Sequence, residues 1–576
     1  MRPKPLVLLV QLPIPPFGRA SVEGNVPLAG AYLKLFADRQ GLNRPFDIEL
    51  WPAVLANRLG DQAAVEAILE RRPTLVGFSC YLWNIERSLW IARQLKSRQP
   101  ELLILLGGPE ITADNAWVLQ DPAVDYAIVG EGEQPFAKLL ASLARGQQAD
   151  RRPCIMDRIG LPNLALDAFA SPYTAGIVSA AVAGGADQHR MSLETARGCR
   201  YRCKYCYYPK SHDAIRFLSS DQVLANLQYA VEHEMTEVVL LDPTLNQRPH
   251  FAEFLQLLGR GNPSGRLAFS GELRAEGIDA DTARLLRQAN FREVEIGLQS
   301  VEPAAWRLMG RPTNLQAFEQ GVHAMLAEGI RVQVDLILGL PGDTVDSVRR
   351  GIDFLQRTKA YSQAAVFNLS ILPGTAFRRD AKSLGLKYQP WPPYYVTQTP
   401  TFDVASMLAL MEEAQEAFRV EFDAIVPPKL DQLDANSVCR IDLDDNDNSV
   451  GLTAPGSTSN LPTFSYTLWF RSADFDRHQH EVVKHIERLL TENPHTTLSV
   501  VLEPTGGLNR LSSKTLQTLL SACYRTTTYL DRYYSLHPGA LLGAKQLIVL
   551  LPPHRRPSRD WRRSTAEFAT IVKRPL

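Results

Sequence analysis

Cys199-Arg-Tyr-Arg-Cys203-Lys-Tyr-Cys206 puts three thiols within eight residues, spaced C-x3-C-x2-C. The remaining cysteines, Cys80, Cys154, Cys439 and Cys523, lie far apart, so the trio reads as a metal site. Closed structural zinc sites and fully protein-ligated iron–sulfur clusters take four ligands, so three thiolates leave a position open. A cubane held by three thiolates keeps one iron for the amino and carboxylate groups of a small molecule. Redox work would need iron, because zinc exchanges no electrons. A zinc site completed by a distant residue such as His212 is the competing reading. A disulfide is disfavoured, since neighbouring cysteines in a chain without a secretory signal belong to a reducing compartment.

Polar residues recur where strands should end: Asp242-Pro243-Thr244, Glu272, Arg274, Gln299 in Gly297-Leu-Gln-Ser300, Arg311, and Asp335 in Val334-Asp-Leu-Ile-Leu-Gly-Leu-Pro-Gly342. A guanidinium fork suits a carboxylate, and carboxylates suit ribose hydroxyls. An ion pair such as Arg311 with Glu295 would account for the same residues structurally. Nearer the start, four loops follow apolar runs: Pro13 to Ser21, Ser79-Cys80-Tyr81-Leu82-Trp83-Asn84, Gly107-Gly108-Pro109-Glu110 and Gly130-Glu131-Gly132-Glu133. Glycines there let backbone approach a ligand closely. None matches G-x-G-x-x-G, which weighs against a nicotinamide site. A domain with no cofactor stays open as an alternative, as does Trp83 as plain core.

The elements that must carry these residues alternate in period. Leu6–Val10, Asp47–Trp51, Thr74–Phe78, Leu102–Leu106 and Asp125–Val129 are short apolar runs separated by helix-length segments, predicting a doubly wound parallel α/β sheet over residues 1–150. Residues 151–189, broken by Pro153, Pro162, Pro172, Gly176, Gly184 and Gly185, read as a linker. Over 190–385, strands at Met191–Thr195, Thr236–Leu241, Leu267–Gly271, Glu293–Gly297, Val332–Leu338 and Ala365–Ile371 alternate with helices. Six β/α units predict a partial (β/α)6 barrel with its site at the carboxyl ends of the strands.

Lys plus Arg equals Asp plus Glu at 62 each, leaving no global electrostatic case for nucleic acid or membrane. The 576 residues should hold about three or four domains. No apolar run approaches a membrane span, so a cytoplasmic location is expected.

The C-x3-C-x2-C loop, with Tyr205 before the last cysteine and Thr195-Ala-Arg-Gly ahead of the first, resembles the signature of radical S-adenosylmethionine (SAM) enzymes. The first domain, with Gly-Gly-Pro-Glu and then Val-Asp-Tyr-Ala-Ile-Val-Gly-Glu-Gly-Glu, resembles the cobalamin-binding domain of their B12-dependent subclass. The resemblance covers roughly residues 5 to 375. It implies that Cys199, Cys203 and Cys206 hold a [4Fe-4S] cluster whose free iron binds SAM, and that one electron then yields a 5′-deoxyadenosyl radical. It also implies SAM contacts at Tyr205, Asp242, Pro243, Thr244, Glu272, Gln299, Arg311 and Asp335. Asp242-Pro-Thr244 stands where the family often has Gly-Gly-Glu, so there only the position carries over. Cobalamin contacts are implied at Ser79, Cys80, Tyr81, Trp83, Asn84, Gly107, Gly108, Pro109, Glu110, Gly130, Glu131, Gly132 and Glu133. The chain departs from many cobalamin proteins in having no histidine before His189, so no imidazole from this domain can hold the cobalt from below.

The expected activity is methyl transfer to an unactivated carbon of a natural-product or peptide substrate, served by an external donor such as flavodoxin or ferredoxin. Cyclisation or rearrangement, polar methyl transfer and a cobalamin or redox sensor are the alternatives. Residues 386–460 read as a barrel-flanking segment rich in proline and aromatics, with an acidic run at Asp442–Asp447 and a linker at Gly451–Asn460. Residues 461–576 read as a small α/β module with a basic tail.

Overall fold

The computed structural model describes residues 3–15, 25–147, 153–157, 159–168, 170–179, 189–208, 214–424, 430, 433, 437–445, 462–538 and 543–573. The first sheet contains β1 (Leu6–Val10), β2 (Asp47–Leu50), β3 (Leu75–Ser79), β4 (Leu103–Gly107), β5 (Tyr126–Ile128) and β6 (Cys154–Met156). Its order is 2-1-3-4-5-6, all parallel. Val7 to Val10 are buried and pack into two separate core clusters on opposite faces, which is why the strand reads as an unbroken apolar run. Strand order reverses between β1 and β3, the switch point where such sheets bind ligands. β6 falls in the stretch read as a linker and adds a sixth strand.

β7 (Arg190–Leu193) begins the second sheet and leads to an antiparallel pair, β8 (Ala196–Arg197) and β9 (Arg216–Phe217), which brackets the cysteine loop. β10 (Glu237–Leu240), β11 (Ala268–Glu272), β12 (Phe291–Gln299), β13 (Arg331–Leu338) and β14 (Gln363–Asn368) complete a six-stranded parallel sheet in the order 7-10-11-12-13-14. Its strands alternate. On β12, Val294, Ile296 and Leu298 are buried in the core cluster. Glu293, Glu295, Gly297 and Gln299 lie on the other face, where β11 adds Ser270 and Glu272 and β13 adds Gln333 and Asp335. Apolar outside and polar inside is the pattern of a partial barrel with a ligand-bearing interior.

A short antiparallel pair, β15 (Lys387–Tyr388) and β16 (Val396–Gln398), precedes the last unit. There β17 (Val438–Asp442), β18 (Ser465–Ser472), β19 (Thr497–Pro504), β20 (Lys545–Leu551) and β21 (Thr570–Lys573) form a parallel sheet in chain order. Asp442, read as the start of an acidic loop, ends β17; the Gly451–Asn460 linker lies outside the described residues. The unit is fastened to the first domain through buried Asp61, which accepts from Arg87 Nε at 2.7 Å and from the His495 backbone at 2.8 Å. It also brings Tyr529, Tyr533 and Tyr534 into one cluster with Leu82, Trp83 and Tyr395.

Candidate active site

The cysteine loop is clamped from three directions. Asp242, at the end of β10, accepts from the backbone of Thr195 (2.7 Å) and Ala196 (2.8 Å) and from Thr195 Oγ1 (2.6 Å). Gln247 accepts from Arg200 N and donates to Gly198 O, both at 2.9 Å. Lys204 N donates to Met309 O at 2.9 Å, and Phe377 N donates to Lys204 O at 3.1 Å. Cys203 is buried and Cys199 and Cys206 are half-buried, with Thr244 Oγ1 4.0 Å from Cys199 Sγ. Among the described residues no three His, Cys, Asp or Glu side chains converge on one metal ion. His212 lies outside the described residues.

Of the residues expected at SAM, Asp242 has both its oxygens on the loop and so positions it. Pro243 accepts from Thr244 Oγ1 at 2.5 Å. Gln299 and Arg311 fit better. The strand register shifts between Gly297 and Gln299, and Gln299 takes a left-handed φ of 67°. Its amide folds over Gly297, where a Cβ would lie 1.9 Å from Nε2. Arg311 Nη2 donates to Gly297 O at 2.5 Å. Gln299 Oε1 and Arg311 Nε are buried without hydrogen-bond partners among the described residues. Such orphans fit a polar ligand seated between them. Arg311 forms no ion pair with Glu295 among those residues; Glu295 instead lies against Asp335. Burial first, and then Glu295, push the Asp335 carboxyl up to about 9. Gln333 Nε2 donates to Asp335 at 3.0 Å. Solvent reaches Glu272 at the barrel mouth, yet protein encloses it on most sides, and this with Glu295 pushes its carboxyl up to about 7. Tyr205 packs against the cluster containing Met309 and Phe377.

At the switch-point edge of the first sheet an open cavity of about 310 Å³ is lined by Ser79, Tyr81, Gly107, Gly108, Pro109 and the Gly130–Glu133 loop. A Cβ at Gly107 or Gly130 would meet nothing within 4 Å, leaving a cradle that a corrin fits. Gly108 cannot be replaced, because its φ is 107° and a Cβ would lie 2.5 Å from Cys80 O. Four expected contacts are absent from the lining. Cys80 is fully buried. Asn84 is occupied in fixing its own loop, donating to Leu12 O at 2.9 Å. Trp83 stacks beneath Tyr81, centroids 4.8 Å apart. Glu110 accepts from Tyr394 Oη at 2.8 Å. Most of the Pro13–Ser21 loop lies outside the described residues.

The far wall of the cavity comes from the barrel: Glu194, Arg197, Tyr207, Tyr208 and Leu241. Sequence reasoning missed these, together with Tyr32 and the Gln247 clamp. The aromatic pair directly after Cys206 was the available signal; Leu241 simply follows β10.

Residues 193–355 match the radical SAM superfamily and residues 27–140 match the B12 binding domain. The cobalamin-dependent radical SAM methyltransferase TokK of Streptomyces tokunonensis is 25% identical over 386 residues, 62% of this chain and 55% of that protein. The 2-(S-pantetheinyl)-carbapenam-3-carboxylate methyltransferase of Streptantibioticus cattleyicolor is 25% identical over 389 residues, with the same coverage of 62% and 55%. The chain thus spans about half the length of these curated relatives. Among solved structures, the radical S-adenosylmethionine methyltransferase TsrM of Kitasatospora setae superposes with a TM-score of 0.53 at 17% identity, covering 68% of this chain and 82% of that one, which establishes a shared fold. Two matched domains, one carrying the thiol loop and the other the glycine-lined cavity, give this chain the radical SAM and B12-binding pair whose cofactors are a [4Fe-4S] cluster, SAM and cobalamin.

Proposed function

We propose that the chain is a methyltransferase acting on an unactivated carbon of a natural-product or peptide substrate. One observation carries this reading: a single cavity has the glycine cradle of the first domain on one side and Tyr207, Tyr208 and Leu241, beside the cysteine loop, on the other. When bound, the cofactors supply a radical able to abstract an unactivated hydrogen and a methyl group to replace it. Cys199, Cys203 and Cys206 would hold the cluster. Gln299 and Arg311 would orient the methionyl end of SAM through their orphaned atoms, and Glu272, Asp335, Tyr205 and Thr244 would complete its surroundings. Ser79, Tyr81, Gly107, Gly108, Pro109, Gly130 and Gly132 would seat the corrin, with Trp83 backing Tyr81. The apolar wall would exclude water from the reacting carbon.

The proposal places the reaction in the cytoplasm, with a flavodoxin or ferredoxin supplying electrons. Among the described residues no helix is long and apolar enough to cross a membrane. The test is anaerobic turnover of reconstituted protein with candidate substrates. Methylated product together with S-adenosylhomocysteine and 5′-deoxyadenosine supports the proposal. 5′-Deoxyadenosine without the mass gain of a methyl group would assign a cyclase or rearrangement instead, and no SAM consumption would assign a sensor.

A further inference from the structure

We infer that Glu131 and Glu133 form an interdomain latch that fixes the cysteine loop against the cobalamin cavity, rather than binding the corrin. The inference rests on the function proposed above. Glu131 pairs with Arg216, whose Nη1 donates to Oε2 at 3.1 Å while its Nη2 holds the other oxygen. Arg216 Nη1 also donates to Leu164 O at 2.8 Å. Glu133 accepts from Arg197 Nη1 at 2.8 Å. Glu194, just past β7, grips the rest of that guanidinium, accepting from Nε at 3.0 Å and Nη2 at 2.8 Å.

Arg197 and Arg216 face each other as partners in the β8–β9 pair. The strands that open and close the cysteine loop therefore each send a guanidinium into the first domain, onto two glutamates of one turn. These groups are shielded from water: Glu131 is 8%, Glu133 4% and Arg197 9% exposed. A bidentate arginine–carboxylate fork is directional as well as strong, so it sets a position as well as an affinity. Domains in one chain move relative to each other unless their interface forbids it. A radical carbon and a methyl donor held in different domains require that it does. A displacement of about 1 Å costs on the order of a hundredfold in rate.

The test measures geometry separately from turnover. Glu131→Gln, Arg216→Gln and the exchange Glu131→Arg with Arg216→Glu are reconstituted with both cofactors. Pulsed EPR then reads the magnetic coupling between reduced cluster and cob(II)alamin, and product analysis gives 5′-deoxyadenosine per methyl transferred. Single variants should keep iron and corrinoid content, spread the coupling into a broad distribution and raise the ratio by about tenfold or more; the exchange should reverse both. Loss of corrinoid from Glu131→Gln would make Glu131 a corrin contact and overturn the latch, as would unchanged coupling and ratio. Should Arg216→Gln fail to fold, Glu133→Gln and Arg197→Lys carry the same measurements. If the unaltered protein transfers no methyl group, the proposed function fails, and the EPR coupling still judges the latch.

Discussion

The carboxylate of Asp242 is bound on both oxygens by Thr195 and its neighbour, through two backbone amides and one hydroxyl at 2.6–2.8 Å. The end of one barrel strand thereby determines where the cysteine loop leaves another. Asp242→Ala strands three buried donors, and leaving such groups unpaired should cost about 2–4 kcal/mol in total, concentrated at the loop. The expected outcome is a lowered melting temperature and a substoichiometric iron content with corrinoid uptake unchanged. Normal iron content would mean that the loop is held by Gln247 and the Lys204 contacts alone.

The two cofactor sites should be separable. Replacing Cys199, Cys203 and Cys206 together by alanine should abolish cluster absorption and SAM cleavage while corrinoid binding persists, because no cysteine of the trio lines the glycine cradle. Absorption spectroscopy of the reconstituted variant checks both at once. Simultaneous loss of corrinoid would contradict a modular arrangement.

Crowded carboxylates in the barrel predict a pH dependence for the cofactor-free protein. Glu272 is raised from 4.5 to about 7, and Asp335 from 3.8 to about 9, both chiefly by burial and then by Glu295. A raised carboxyl favours the protonated fold, so its contribution is complete below the ordinary value and disappears as pH climbs through the folded value. The melting temperature should therefore fall between pH 3.8 and about 9, and Glu272→Gln should make that fall shallower between 4.5 and about 7. A curve unchanged by Glu272→Gln would show that solvent fully relieves the crowding.

At the seam between the first domain and the barrel, Tyr394 donates to Glu110 at 2.8 Å, and burial pushes the Glu110 carboxyl up to about 7. Tyr394→Phe removes the donor from a buried acceptor and should lower stability by about 1–3 kcal/mol. Glu110→Gln keeps an acceptor there and should be far milder. Denaturant titration of the two variants distinguishes them, and equal losses would mean that a glutamine amide cannot replace the Glu110 carboxyl as the acceptor.

Much of this was legible in the sequence, for definable reasons. Leu6–Val10 and Leu102–Leu106 announced strands because a sheet covered on both faces needs unbroken apolar runs, and the thiol spacing is local by nature. What escaped depended on partners distant in the chain. Glu131 and Glu133 sit in a glycine-rich turn that looks built for a cofactor, while the arginines that claim them are 85 and 64 residues away. Asp242 lies 47 residues from Thr195, and nothing in Asp242-Pro-Thr244 advertises that its oxygens face backbone. β6, at three residues, was too short to stand out among prolines, and β17 merges into an acidic run.

The central claim is that one chain seats a three-thiolate cluster and a corrin at neighbouring sites on its two domains. Anaerobically purified protein, reconstituted with iron, sulfide and excess hydroxocobalamin, should carry one [4Fe-4S] cluster and one corrinoid per chain, quantified by metal analysis and absorption spectroscopy. Zinc on the thiols in place of iron, or no corrinoid retained under saturating supply, would contradict it.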